Sequence, residues 1–189
     1  MQKRELPSVV KIRKRIKTNR LLLRPVTLED AMDMYEYASD PQNAYYVFPT
    51  NKSIEETREN INNIFLKNPI GKYGIELKST GKMIGTIYLL NIDEPNRNAE
   101  LSYVLNHNFE EQGYAIEAVR ALENIFFREM NFVRLYARHT LDNRRSESLM
   151  ERGGMVREGI ARQEVEFRGE MVDMCYHAIV QSDYRDLLM

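Results

Sequence analysis

The sequence predicts a mixed α/β domain, and three observations carry that reading. Residues 73–105 form a β-rich middle with short turns. The hydrophobic period then switches to a helical one between residues 116 and 130. Two further strand-like runs close the chain after Gly154. At 189 residues the chain is sized for one domain and can bury a core without staples. Hydrophobic residues make up 43% and charged residues 29%, a balance that excludes collagen-like, low-complexity and broadly disordered chains. One cysteine excludes an internal disulfide framework and a multi-cysteine metal site, and it suits a reducing compartment. No apolar run reaches the ~18–20 residues that span a membrane. The basic N-terminus runs into Pro7 and Ser8 rather than into a signal-peptide core, so a cytoplasmic location is expected.

The net charge of −1 is unevenly spread. Lys3, Arg4, Lys11, Arg13, Lys14, Arg15, Lys17 and Arg20 face Glu5 as the single acid of residues 1–20, which puts +7 there and −8 on the rest. Residues 1–16 thus read as a basic arm or edge strand ahead of one domain, 17–189. Such an arm can contact nucleic acid through phosphates. The favoured reading is a solvated strand or arm on an acidic body, since no aromatic residues interleave the charges.

Each element has a local cause. Val10, Ile12 and Ile16 alternate with basic residues, as in an edge strand. Thr18 to Val26 is a short strand stopped near Pro25. Thr27 caps a helix with Glu29 and Asp30 in its first turn, and Asp40-Pro41 ends it. Ser53 and Glu56 form a capping box for a second helix that stops before Pro69. Tyr73 to Lys78 and Met83 to Asn91 flank the turn Ser79-Thr80-Gly81-Lys82, and Ala99 to Leu105 follows. A helix runs to about Met130, then a strand from Phe132 to Thr140. A short helix, Ser146 to Arg152, closes at Gly153-Gly154. The strands Arg162 to Phe167 and Met171 to Gln181 flank Arg168-Gly169-Glu170.

The segment Asn106 to Ala118, NHNFEEQGYAIEA, carries the chemistry. Gly113 and Ala115 let backbone approach a ligand. The first N–H groups of the following helix have no internal partner and sit at its positive end. That combination suits a phosphate or pyrophosphate. By itself it is also an ordinary strand-to-helix turn.

QGYAIEAVRAL resembles the acetyl-CoA-binding segment of the GNAT N-acetyltransferases, whose Q/R-x-x-G-x-G/A motif wraps the CoA pyrophosphate. The resemblance covers about residues 17–184. TNRLLLRP with Asp30-Ala31 is similar to the opening of the ribosomal-protein N-acetyltransferase subgroup. AELSYVL resembles the family's fourth strand, and Asn143-Arg144-Arg145-Ser146 with Gly154-Met155 its N-x-x-S helix and following turn. Gly159, Arg162, Arg168-Gly169, Asp173 and Tyr176 resemble its closing hairpin. The resemblance implies one domain with a mostly antiparallel sheet of about seven strands, splayed between strands 4 and 5 and flanked by about four helices. It implies acetyl-CoA as acyl donor, no metal, and an amine acceptor, which is a protein N-terminus (a ribosomal protein among them) or a small amine. A monomer or a homodimer is expected.

Carried onto this sequence, the resemblance assigns Gln112, Gly113, Tyr114 and Ala115 to the pyrophosphate. Backbone of Tyr103, Val104 and Leu105 would pair with the pantetheine arm, and Asn143 would hydrogen-bond that arm. Ser146 would protonate the leaving thiolate. Glu100 is the base candidate, alongside a purely structural reading of its carboxylate. Glu110 stands where the family usually has Gln or Arg, and Glu111 where many members have a second Gly. Met150 replaces the tyrosine acid of a related subgroup. The two carboxylates leave a second function open, that of a CoA-binding or sensing protein with weak turnover. His107 reads as a loop residue, His139 and His177 as strand residues and Cys175 as a packed thiol. The three histidines show no metal-ligand spacing. Tyr45 to Phe48 reads either as an acceptor-pocket wall or as satellite core.

Overall fold

Leu21 and Leu23 are fully buried while Leu22 and Arg24 are half-buried, and this two-residue alternation sets the first long pairing of the sheet. The computed structural model describes residues 13–186. Among them, eight strands pair in chain order as β1 (Ile16–Lys17), β2 (Leu21–Arg24), β3 (Lys72–Leu77), β4 (Met83–Asp93), β5 (Asn98–Leu105) and β6 (Arg134–Thr140), followed by β8 (Glu170–Val180) and then β7 (Val156–Phe167) on the outside. All neighbours are antiparallel except β5 and β6.

The expected β-meander, the period switch and the closing hairpin are all present. The eighth strand is β1, a two-residue edge piece that covers Ile16 of the expected basic strand. Val10 and Ile12 lie outside the described residues. β7 begins at Val156 rather than at Arg162, held by the pairing of Val156 with Ala178. It is an outer strand with nearly every side chain exposed, so no buried face marks it in the sequence.

Six helices pack on the sheet rather than about four: α1 (Ala31–Ala38), α2 (Pro41–Ala44), α3 (Ile54–Asn60), α4 (Tyr114–Asn124), α5 (Arg144–Arg152) and α6 (Gln181–Asp186). Asp40-Pro41, expected to end the first helix, starts α2. Asp40 accepts the Gln42 N–H at 2.9 Å as an N-cap, and Pro41 occupies the first turn, where its missing N–H costs nothing. The Ser53 hydroxyl accepts the Glu56 N–H at 3.1 Å, as the capping box requires. Both long helices continue through a wider turn, at Ile61–Leu66 and Ile125–Glu129.

The core lies on both faces of the sheet. On one face α4 buries Ala118, Val119, Leu122, Ile125 and Phe126 against Leu101, Leu105 and Leu135. On the other, α1 and α3 bury Met34, Tyr37 and Ile61 against Met83 and Val104. Arg24, largely buried, joins the start of α1 to the sheet through Asp30 at 2.7 and 2.8 Å and through Glu76. Those bonds, led by Asp30, hold its guanidinium above the usual arginine value. None of the helices of residues 13–186 is long and apolar enough to cross a membrane.

Gly85 fixes how closely β4 and β5 approach. A Cβ there would lie 2.3 Å from the Val104 carbonyl oxygen and 3.0 Å from the Leu105 Cα, both backbone atoms that cannot rotate away. Gly85→Ala is therefore expected to destabilise the fold by about 3 kcal/mol. An unchanged urea midpoint would contradict this packing.

Candidate active site

The sheet opens where β5 and β6 part. They pair in parallel only over Asn98, Ala99 and Glu100. Beyond Glu100, β5 stays with β4 and β6 with β8, leaving a gap between them. Asn106 donates its N–H to the Ile84 carbonyl at 2.8 Å. The two-residue alternation of an antiparallel ladder then turns the backbone of Val104 and Ser102 to β4 as well, and that of Tyr103 and Leu105 to the gap. The Leu105 carbonyl is already engaged by Asn43 Nδ2 at 2.8 Å, so Tyr103 offers the freer edge.

α4 follows β5 in the chain, through the short turn His107–Phe109. Gly113 caps it in the left-handed region, φ 79° and ψ 10°, and no side chain satisfies the helix N–H groups. Tyr114 and Ala115 are its first two residues. Glu111 also adopts a left-handed conformation, φ 60°, at the position where a second glycine is usual. The loop thus takes a left-handed turn at a residue that carries a side chain, at the cost a side chain incurs there.

Arg20 braces this end from 92 residues away, an assignment the basic-arm reading missed. Its Nη1 donates to the Gln112 carbonyl at 2.8 Å and its Nε to Glu117 at 2.7 Å. Its guanidinium lies 4.4 Å from the Tyr114 ring centre. Thr18 donates to the same Glu117 carboxylate at 2.6 Å. Burial alone would raise the Glu117 carboxyl, but these bonds outweigh it and hold it below the usual range.

Glu110 is turned to α5. Its carboxylate accepts from Arg145 Nη1 at 2.9 and 3.2 Å. Glu111 is exposed. Across the gap, Asn143 caps α5 by accepting the Ser146 N–H at 3.2 Å, which fixes Ser146 in the first turn. The Tyr103 hydroxyl donates to the Ser146 carbonyl at 3.4 Å, and burial pushes this phenol up to about 12. Tyr103 of β5 thus reaches Ser146 of α5, and Arg145 of α5 reaches Glu110 in the segment that leads to α4.

Glu100 sits at the vertex, where β5 and β6 still pair, and is 6% exposed. It accepts from Arg138 Nε at 3.0 Å and from Asn91 Nδ2 at 2.8 Å. Arg138 also holds Glu164, which in turn accepts from the Tyr176 hydroxyl. By strand alternation Glu100 shares a face with Val104, the face of α1 and α3. His107 bridges to Asp40 at 2.8 Å on the surface.

That face carries a cavity of about 310 Å³ between α1, α3 and β4. Met34, Phe48, Phe65 and Tyr88 supply apolar walls, and Asn51 and Glu56 supply polar ones. Of the Tyr45–Phe48 segment, Val47 and Phe48 line it. Tyr45 and Tyr46 turn away to pack on Phe167, and Arg168 stacks 4.3 Å over Tyr45.

The sheet opens after its fifth strand, and α4 begins shortly beyond that opening in the chain. The family model described as "Acetyltransferase (GNAT) domain" matches residues 20–156. This chain belongs to the GNAT acetyltransferase family. It is 30% identical over 171 residues to the uncharacterized N-acetyltransferase p20 of Bacillus licheniformis, covering 88% of this chain and 96% of that one. A GNAT-family acetyltransferase structure from Bacillus anthracis superposes with a TM-score of 0.80 at 29% identity, over 89% of this chain and 99% of that one. RimL, a ribosomal L7/L12 alpha-N-protein acetyltransferase solved with coenzyme A, shares the fold with a TM-score of 0.77 at 21% identity, over 88% and 97% of the two chains.

Proposed function

We propose that this chain moves an acetyl group from acetyl-CoA directly to a primary amine, either a protein N-terminus or a small amine. The observation that carries this reading is the free edge of β5 and, shortly beyond it in the chain, the uncapped α4 terminus. The two together fit the extended arm and the pyrophosphate of one ligand. Backbone N–H groups of Gly113, Tyr114 and Ala115 would hold the pyrophosphate at the positive helix end. Tyr103, Leu105 and Asn143 would hold the arm. The pairing of Glu110 with Arg145 supports cofactor binding, since it engages one of the two unusual carboxylates.

Acetyl-CoA, when bound, supplies the activated acyl group. The attacking amine must be neutral. Glu100 has accepting capacity left on each oxygen and shares a sheet face with Val104, the face that carries the cavity without Glu100 lining it, so its assigned role is to take the amine proton through water. A backbone N–H of β5 turned to the gap supplies a donor where negative charge develops on the acyl oxygen. Ser146, fixed by the Asn143 cap, supplies the proton for the thiolate side. The cavity, mostly apolar with a few polar groups, holds the body of the acceptor. RimL's acceptor is a ribosomal protein, which makes N-terminal peptides the first acceptors to screen beside small amines.

Ser146→Ala is expected to lower kcat by about 10²-fold while leaving acetyl-CoA affinity nearly unchanged. The steady-state assay on the best acceptor tests this. Unchanged kcat removes Ser146 from the mechanism. Failure of all amines despite tight acetyl-CoA binding overturns the transferase reading.

A further inference from the structure

Strand pairing assembles a cluster that the sequence spacing conceals. His139 on β6 lies directly opposite Cys175 on β8, and His177 follows two residues later on the same face. All three are sequestered, at 4%, 1% and 0% exposure. Each offers one donor atom, and the three atoms lie within 4.8 Å of one another.

The hydrogen bonding of this cluster is incomplete. His139 Nδ1 lies 2.8 Å from the Thr140 carbonyl, which can only accept, so the proton sits on Nδ1 and the Nε2 lone pair is free. His139 Nε2 is buried with no hydrogen-bond partner. His177 Nε2 is also buried and unpartnered, while its Nδ1 faces the Cys175 sulfur at 3.9 Å. Buried polar atoms are rarely left so. The imidazole rings, 5.2 Å apart between centres, do not satisfy each other.

We propose that His139, Cys175 and His177 form a zinc site, the fourth position taken by Glu147 or Glu151 of α5 or by water. Two imidazoles and one thiol are the borderline-soft donor set that Zn²⁺ prefers. Tetrahedral zinc holds such ligands roughly 3.4–3.6 Å apart, given its bond lengths, so small side-chain rotations close the observed spacing. A His139 that donates its other nitrogen to a backbone carbonyl is oriented as zinc-bound histidines are. Glu147 and Glu151, one turn apart on α5, each place a carboxylate oxygen within 4.8 Å of a His177 ring nitrogen. Zinc-bound cysteine is a thiolate, so binding displaces the Cys175 thiol proton. With Glu147 or Glu151 as the fourth ligand the ion would pin α5 to the sheet, and α5 is capped by Asn143 and carries Ser146. Its role is to stiffen the helix that presents those residues, not to act on substrate.

The test is a Co²⁺ titration of the full chain after chelation and dialysis, followed by competition with Zn²⁺. One Co²⁺ per chain is expected, with the visible bands of a four-coordinate ion and a sulfur-to-cobalt charge-transfer band. Zinc should displace it and raise the Tm. Cys175→Ser should remove the charge-transfer band, and His139→Gln should weaken binding about 100-fold or more, since loss even of outer contacts costs 10- to 100-fold. Circular dichroism of the metal-free variants checks that they fold. If a variant does not fold, the wild-type spectrum decides. The absence of stoichiometric Co²⁺ binding overturns the proposal. So does binding without a sulfur band, or a band that survives in folded Cys175→Ser.

Discussion

Ala115→Glu is expected to abolish acetyl-CoA binding, raising the Kd by about 10³-fold. Ala115 is the second residue of α4, in the turn whose N–H groups no side chain satisfies. A carboxylate there would occupy the positive helix end and repel a pyrophosphate. A shift of about 4 kcal/mol corresponds to that factor. An acidic residue in the first turn is itself favourable to a helix, so the variant should fold. Its melting temperature and its acetyl-CoA affinity thus separate a binding defect from a folding defect. Micromolar affinity in the folded variant would contradict the placement of the pyrophosphate.

The second large effect is expected at Glu123, far from any ligand. This residue of α4 is 1% exposed, and its Oε1 has no hydrogen-bond partner. Burial raises its carboxyl to about 8, and Arg120 offsets this only in part. In the unfolded chain the group titrates near 4.5. Between these values the folded state holds a proton that the unfolded state has lost, so stability falls as pH rises. The contribution is complete below about 4.5 and is lost as pH climbs to about 8. The loss is on the order of 3–4 kcal/mol between pH 5 and 8. Glu123→Gln removes the titration. Urea melts should therefore show wild type weakening across that window and the variant holding more of its stability at pH 8. Parallel pH profiles would contradict a neutral buried Glu123.

What was legible in the sequence followed from local patterning. The strands around Tyr73, Met83 and Ala99 alternate against a buried face, and α4 carries a strong helical period, so both declare themselves. β7 does not, because an outer strand with exposed side chains has no face to alternate. α2 was hidden because Asp40-Pro41 marks a helix start as readily as a stop. The segment Gln112 to Ala115 could be read locally, since one glycine and one helix end lie within four residues. Its supports could not. Arg20 meets Glu117 across 97 residues and Arg145 meets Glu110 across 35, pairings that only the folded sheet creates. The same holds for His139, Cys175 and His177, which share a face only through the β6–β8 register.

Glu110 and Glu111 show how a departure from a motif is absorbed. One carboxylate is drawn to Arg145, and the other accepts a left-handed backbone that a glycine would adopt more cheaply.

The most direct test of this account is a calorimetric titration of the wild-type chain with acetyl-CoA, using ATP and NADPH as controls and Ala115→Glu in parallel. The account predicts saturable acetyl-CoA binding at one site per chain, weak or no binding of the controls, and none in the variant. Absence of acetyl-CoA binding, or equal binding of ATP and NADPH, would contradict it.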